Sequence, residues 1–196
     1  MIPLEPGNIY HVFNRANGSE KLFISERNYD YFINKSNEYL QPIANIFCYC
    51  LMPNHFHFLL RVKELSQLKE TFSKFKTLEK FLPEHERILS KQFANLFSCY
   101  TQSFIKEYGR KGSLFMKNFK RKLVTDEKYL RKLVHYIHWN PVESRLCLSL
   151  ENWKYLSYPG IITGANTRHQ EVLSWSGDIE NFIYCHKRPP ELSGIE

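Results

Sequence analysis

The chain has 196 residues and a net charge of +7, and 43% of its residues are apolar, a composition typical of a folded protein with one domain. No apolar run approaches the roughly 18 to 20 residues of a membrane-spanning helix, and the N-terminus lacks the cationic start of a signal peptide, so neither a membrane location nor export is expected. Five cysteines without a C-x-x-C pair indicate reduced thiols, which predicts a cytoplasmic protein.

The first third of the chain predicts a strand, a helix and a hairpin. Alternation over residues 8–15 predicts the strand, and one apolar stripe over 28–40 predicts the helix. Two further strands, 43–51 and 55–62, are separated by the segment 52–54. Since the proline in that segment cannot donate to a strand ladder, the segment predicts a tight connection between antiparallel strands.

Two helices are predicted next, because apolar residues recur at steps of three and four. The first covers residues 65–81 and ends before Pro83. The second covers residues 88–105, and Gly109 supplies a C-cap.

The positive charge is concentrated in residues 106–132, which hold ten Lys or Arg and three acidic residues and so account for the whole surplus. Aromatic residues are interleaved with these bases, a mixture suited to phosphate contacts combined with base stacking. A solvated basic face is the alternative interpretation. The part from 112 to 124 is predicted to be extended.

A helix capped by Thr125 or Asp126 and bounded by Pro141 follows the basic segment. Residues 142–196 form a mixed segment, with one short helix predicted near 179–186. This order of elements predicts an α+β fold in which helices pack on an antiparallel sheet.

Two histidines, His55 and His57, interrupt the apolar run "MPNHFHFLL". Because side chains alternate along a strand, both point to one face while Phe56, Phe58 and Leu60 point to the other. A pair at this spacing can bind one metal ion or one phosphate. Two hydrogen-bonded structural histidines are the alternative.

A second polar pair lies in "LVHYIHWNP", where Tyr136 and Asn140 are one helical turn apart on the same face. Taken alone, Asn140 could end the helix and Tyr136 could be half-buried packing. His135 and His138 lie on other faces and are interpreted as structural or DNA-facing residues.

Five segments carry a family resemblance: "YHVFNR", "CLMPNHFHFLL", "GSLFMKNFKRKLV", "YIHWNPVES" and "WKYLSYP". In this order, over roughly the first 160 residues, they resemble the Y1 transposases of the HUH endonuclease superfamily, and within them the REP-associated tyrosine transposases. The chain departs from that family at Ser144 and Arg145, where the family commonly has Ala-Gly.

The resemblance implies a ferredoxin-like antiparallel sheet with helices packed on one face, in a domain of residues 1–160 with residues 161–196 as an extension packed on it. It also implies that His55, His57 and Asn140 bind a divalent metal, Mg²⁺ or Mn²⁺, and that Tyr136 is the nucleophile. The expected activity is cleavage and transfer of single-stranded DNA at or near a hairpin through a 5′-phosphotyrosine. The expected assembly is a monomer or a homodimer.

Eight residues are predicted to contact the DNA. The basic side chains are assigned to phosphates, Phe115 or Phe119 to base stacking, and two residues of the first strand to further contacts. The full set is Lys117, Lys120, Arg121, Lys122, Asn14, Arg15, Phe115 and Phe119.

Two other functions fit parts of the sequence. Cys48-x-Cys50 and His55-x-His57 on adjacent strands could supply a structural Cys₂His₂ zinc site in a nucleic-acid-binding module. The chain could also bind hairpin DNA as a regulator without catalysis.

Overall fold

The strands and main helices follow one another in the order βαββαβ, which is that of a ferredoxin-like fold. The computed structural model describes residues 2–72, 84–166 and 168–191. The strands are β1 (Ile9–Arg15), β2 (Ala44–Met52), β3 (His55–Val62) and β4 (Lys120–Leu123). The helices described are α1 (Glu26–Leu40), α2 (Leu65–Thr71), α3 (His85–Tyr108), α4 (Glu127–Glu143), α5 (Tyr158–Ile162), α6 (His169–Ser174) and α7 (Ile179–His186), with a 3₁₀ turn at Leu150–Asn152.

The four strands form one antiparallel sheet in the order β2-β3-β1-β4. Pro53 and Asn54 join β2 to β3, so the predicted tight connection at 52–54 is present but is one residue shorter, because Met52 belongs to β2. The predicted α+β fold with an antiparallel sheet is confirmed. β1 and β3 are the two central strands, so each of them has a neighbouring strand on both sides.

One sheet face, here called the core face, packs against α1 and α3. Phe56 and Phe58 of β3 meet Phe32 of α1, with ring centroids 5.2 and 6.2 Å apart, and Phe32 meets Tyr100 of α3 at 5.0 Å. Phe32 and Phe56 have no exposed surface. Because an aromatic side chain buries 150–250 Å² or so, this cluster supplies much of the hydrophobic stabilisation.

The opposite sheet face, here called the α4 face, is covered over β2 and β3 by α4. Leu133 and Ile137 of α4 are fully buried and share a hydrophobic cluster with Cys50 and Leu59 of the sheet. Phe182 of α7 belongs to the same cluster. Helices therefore lie on both sheet faces, since α1 and α3 form the expected layer on one face and α4 to α7 form a second layer on the other.

Most predicted element ends agree with the structure. Gly109 adopts φ 63° as the C-cap of α3, and the Asp126 carboxylate accepts the Tyr129 N–H at 2.8 Å as the N-cap of α4. Pro141 does not bound α4, which continues to Glu143, because a proline in the last turn removes only one backbone bond. The predicted helix 65–81 is observed up to Thr71, and its part from residue 73 to 81 lies outside the described residues.

The C-terminal part has more structure than the sequence pattern indicates. The helix predicted near 179–186 is α7, whereas α5 and α6 were not predicted. Each has only five or six residues, too few for a helical period to be visible. Among the helices described, none is both long and apolar enough to cross a membrane.

Candidate active site

Strands β1 and β3 and helix α4 bring the side chains of the candidate site together on the α4 face of the sheet. Strand pairing places Phe13 of β1 opposite His57 of β3. The His57 ring lies 5.0 Å from the His55 ring and 5.6 Å from the Tyr136 ring of α4. The predicted residues His55, His57, Tyr136 and Asn140 are thus neighbours, although about 80 residues separate β3 from α4 along the chain.

Each histidine of β3 uses its Nδ1 atom in a hydrogen bond. His55 Nδ1 lies 2.7 Å from the Asn54 side-chain oxygen, so this nitrogen carries the hydrogen and donates it. His57 Nδ1 lies 2.8 Å from Nε2 of His11. In both rings Nε2 is the nitrogen left for a further partner, an arrangement that fixes the orientation of metal-binding histidines in proteins.

Burial keeps these imidazoles neutral. Loss of solvation lowers the pKa of His57 well below its ordinary value, and the neighbouring His11 and His55 add to this effect. Burial also lowers the pKa of His55, although contact with the Asn140 side chain opposes the shift. Since only the neutral ring offers a lone pair, the site holds both side chains in the state that a metal ligand requires.

Helix α4 presents Tyr136 and Asn140 toward these histidines. The Asn140 amide donates to the Tyr136 carbonyl one turn earlier at 2.8 Å, and this bond orients its side-chain oxygen. Tyr136 is half-buried, and burial raises the pKa of its hydroxyl while contact with the Asn140 side chain opposes the shift. Asn140 therefore contacts both His55 and Tyr136 and links the strand to the helix.

These side chains offer a metal two imidazole nitrogens and one amide oxygen. All three donors are neutral, and the set suits a divalent ion that keeps open positions for other oxygen ligands. His55, His57 and Asn140 therefore fit the divalent metal that the family resemblance implies at this position.

The structure argues against the alternative of a Cys₂His₂ zinc site. Strand register pairs Cys50 with His57 but Cys48 with Leu59, so Cys48 lies beyond the histidines. Among the described residues, no three His, Cys, Asp or Glu side chains are grouped so that they could hold a metal.

The predicted phosphate-binding residues fall into two groups. Lys120 and Lys122 lie opposite Phe13 and His11 in the register of β1 and β4, which places them on the α4 face. Arg121 lies opposite Val12 on the core face, where Glu86, Ser90 and the Ile2 carbonyl engage its guanidinium. This placement favours a structural role for Arg121, because none of its nitrogens faces the site.

The remaining predicted DNA contacts are also placed by the fold. Lys117 and Arg15 are exposed, whereas Phe115 is buried and Phe119 stacks on Phe93 at 4.7 Å. Asn14 is buried and its amide donates to the Met116 carbonyl at 3.2 Å. The two phenylalanines and Asn14 thus have structural contacts that explain their presence.

The surroundings of His138 on α4 favour a structural role, which is one of the two roles that the sequence analysis considers for it. Its Nδ1 lies 3.0 Å from His186 Nε2, and its Nε2 lies 2.9 Å from the Ser157 hydroxyl. His186 Nδ1 in turn donates to the Phe182 carbonyl at 2.8 Å. This buried chain of bonds ties α4 to α7 and, through the Tyr49 N–H that Ser157 accepts, to the edge of the sheet.

We expect the free energy of unfolding to fall when the pH drops from 7 to 5.5. Burial lowers the pKa of His186 to about 3 and that of His138 well below its ordinary value, so both stay neutral in the fold and bind protons once unfolded. Stability is therefore lost below about pH 6.5, and two such groups cost about 2 kcal/mol by pH 5.5. Urea unfolding at both pH values measures this loss, and equal midpoints would contradict it.

Two residues of the site were not predicted from the sequence. His11 is 3% exposed and hydrogen-bonded to His57, and Phe13 stacks on His11 with ring centroids 4.7 Å apart. The alternation of "YHVFNR" places both on the face opposite Tyr10 and Val12, which is a visible signal. Only the pairing of β1 with β3 shows that this is the face of His57.

Comparison with known proteins supports the fold. The chain superposes on a REP-associated tyrosine transposase bound to a REP hairpin with a TM-score of 0.56 and 14% sequence identity, over 85% of this chain and 86% of that chain. No family model and no curated protein sequence matches the chain. At 14% identity the similarity shows a shared fold, which agrees with the α+β architecture expected from the sequence.

Proposed function

We propose that this chain is a metal-dependent, single-stranded DNA endonuclease and strand transferase that acts at or near hairpin DNA. One observation carries the proposal: Tyr136 and Asn140 of α4 lie against His55 and His57 of β3. The shared fold with a transposase bound to a REP hairpin supports the choice of DNA as substrate.

Tyr136 is the nucleophile in this proposal. Its oxygen attacks a backbone phosphorus, the bond from phosphorus to the 3′ oxygen breaks, and the DNA 5′ end stays on the protein as a phosphotyrosine ester. The phenol proton ends on the departing 3′ hydroxyl, so no water is consumed. Because burial raises the pKa of Tyr136, the hydroxyl is protonated at neutral pH and must lose its proton during the attack.

His55, His57 and Asn140 would hold a divalent metal, which when bound supplies Lewis acidity toward a phosphate oxygen and orients it. The protein's own contribution is to keep the two imidazoles neutral and their Nδ1 atoms hydrogen-bonded. Asn140 also fixes the distance between this donor set and Tyr136. The phosphotyrosine keeps the energy of the broken bond, so a second 3′ hydroxyl can reverse the step without ATP.

The substrate is single-stranded at the cleaved position, because a tyrosine on a rigid helix must reach a backbone that a duplex would hold in place. The experiment that tests the proposal incubates the protein with labelled hairpin DNA carrying single-stranded flanks and with Mg²⁺ or Mn²⁺. A protein–DNA adduct that resists denaturant is expected. Hairpin binding without an adduct would instead indicate a non-catalytic DNA-binding regulator.

Replacing His11 with Phe is expected to weaken Mn²⁺ binding about 10- to 100-fold, because His57 then loses the partner that fixes its ring. The aromatic ring preserves the stacking on Phe13. Calorimetric titration of the metal-free protein with Mn²⁺ measures the affinity. His11→Gln, which keeps a hydrogen-bonding group, is the matched variant and should lose less affinity; unchanged binding in His11→Phe would contradict the assigned role.

A further inference from the structure

The environment of Phe13 is unusual for a phenylalanine in a central strand. Within residues 2–72, 84–166 and 168–191 it belongs to neither hydrophobic cluster, and its ring stacks on two imidazoles, those of His11 at 4.7 Å and His57 at 5.7 Å. Its neighbours Tyr10 and Val12 point to the core face and are buried, whereas Phe13 stays partly exposed. Packing of an apolar core therefore does not explain this side chain.

Phe13 is partly exposed and has a positively charged residue beside it. Helix α4 packs over β2 and β3, while Phe13 lies on the neighbouring strand β1. Directly opposite, on β4, is the exposed side chain of Lys120. A partly exposed aromatic ring beside a cation is a combination with which proteins hold single-stranded DNA, the ring stacking on a base and the cation contacting the backbone.

The position of this pair relative to the site defines what it would bind. The His57 ring contacts both Phe13 and Tyr136, with ring centroids 5.7 and 5.6 Å away, so the two aromatic rings are joined by one imidazole. A strand whose phosphate reaches Tyr136 passes within a nucleotide or so of Phe13, given a backbone repeat of several ångströms per nucleotide. The neighbouring base can then leave the strand axis and stack on the exposed part of the ring.

We propose that Phe13 is a stacking platform for one unpaired base next to the cleaved phosphate, with Lys120 contacting the adjoining backbone. The proposal rests on the proposed function, because it assumes a DNA strand at Tyr136. Stacking tolerates any base, so the platform sets the position of the strand on the protein more than the sequence it prefers.

The test is a binding cycle in the Tyr136→Phe background, where no cleavage interferes. Hairpin DNA with single-stranded flanks is prepared with one abasic site at each flank position in turn, and affinity is measured by fluorescence anisotropy. With Phe13 present, one abasic position is expected to weaken binding about 5- to 100-fold. With Phe13→Leu, intact DNA should bind more weakly by a similar factor, and the abasic site at that position should cost nothing further.

Two other variants complete the test. Phe97→Leu removes a partly buried ring that packs against Phe56 on the core face and should leave every abasic penalty unchanged, whereas Phe13→Trp should keep the penalty at the same position. If Phe13→Leu weakens all DNAs equally and the abasic penalty persists, the residue only supports the histidines and the platform is refuted. If the parent chain binds no hairpin at all, the proposed function fails, and the platform with it.

Discussion

Replacing Tyr136 with Phe is expected to abolish the covalent protein–DNA adduct completely. The substitution removes one oxygen, and that oxygen is the only atom of Tyr136 that can form the ester with phosphorus. The ring remains, so the packing of Tyr136 against His57 is preserved. Hairpin affinity should change by no more than about threefold, because a single neutral hydrogen bond contributes little net free energy. A denaturing gel detects the adduct, and fluorescence anisotropy measures binding.

Tyr129 provides the matched control for this prediction. It lies on the same helix, two turns before Tyr136, and is likewise partly buried. Tyr129→Phe should form adduct at the parent rate. Adduct formation by Tyr136→Phe, or its loss in Tyr129→Phe, would show that α4 does not carry the nucleophile where the geometry places it.

Replacing His57 with Ala is the second change with a large expected effect. It removes one of three donors from the proposed metal site, and the remaining His55 and Asn140 should not hold Mn²⁺ at micromolar concentrations. Cleavage is expected to slow on the order of 10³-fold, since a bound metal contributes several kcal/mol of transition-state stabilisation. Chelation with EDTA should stop the parent protein to the same extent. Adding Mn²⁺ back should restore the parent and leave the variant inactive.

Cys50→Ala separates this effect from that of a structural zinc. Cys50 lies opposite His57 in the β2–β3 register, so a zinc-binding module would lose its fold with this substitution. In the proposed enzyme the thiol is apolar packing on the α4 face, and the variant should keep its adduct and its metal affinity. Cleavage by His57→Ala at the parent rate in EDTA would refute the metal-dependent function.

The strands and long helices could be predicted because their apolar patterns are strong. Alternation defined β1 and the hairpin, and the recurrence of apolar residues at three and four defined α1, α3 and α4. The prediction that Pro141 ends α4 was wrong, because a proline in the last turn removes only one backbone bond and the helix continues to Glu143. The short helices α5 and α6 pack into the hydrophobic cluster on the α4 face, and they are too short for apolar residues to show a helical period.

The site was predicted only in part, for reasons of register. His55 and His57 stand out because they interrupt an apolar strand, and the resemblance joins them to Tyr136 and Asn140. His11 could not be assigned to the site, because its partner His57 is 46 residues away and neither segment shows which strands are neighbours in the sheet. Arg121 shows the same limitation. Alternation alone separates it from Lys120 and Lys122, but its partners Glu86 and Ser90 lie on a helix 35 and 31 residues earlier in the chain.

Strand β3 has one face in the core and the other in the candidate site, which makes the protein sensitive to inserted or deleted residues near this strand. Its phenylalanines lie in the core and its histidines in the site, and the side-chain period is two residues. One inserted or deleted residue at the start of β3 would exchange the two sets, turning imidazoles into the core and aromatic rings toward Tyr136. Stability and chemistry would then be lost together. Variation in length should therefore be tolerated in exposed loops and excluded from the two-residue turn at Pro53 and Asn54.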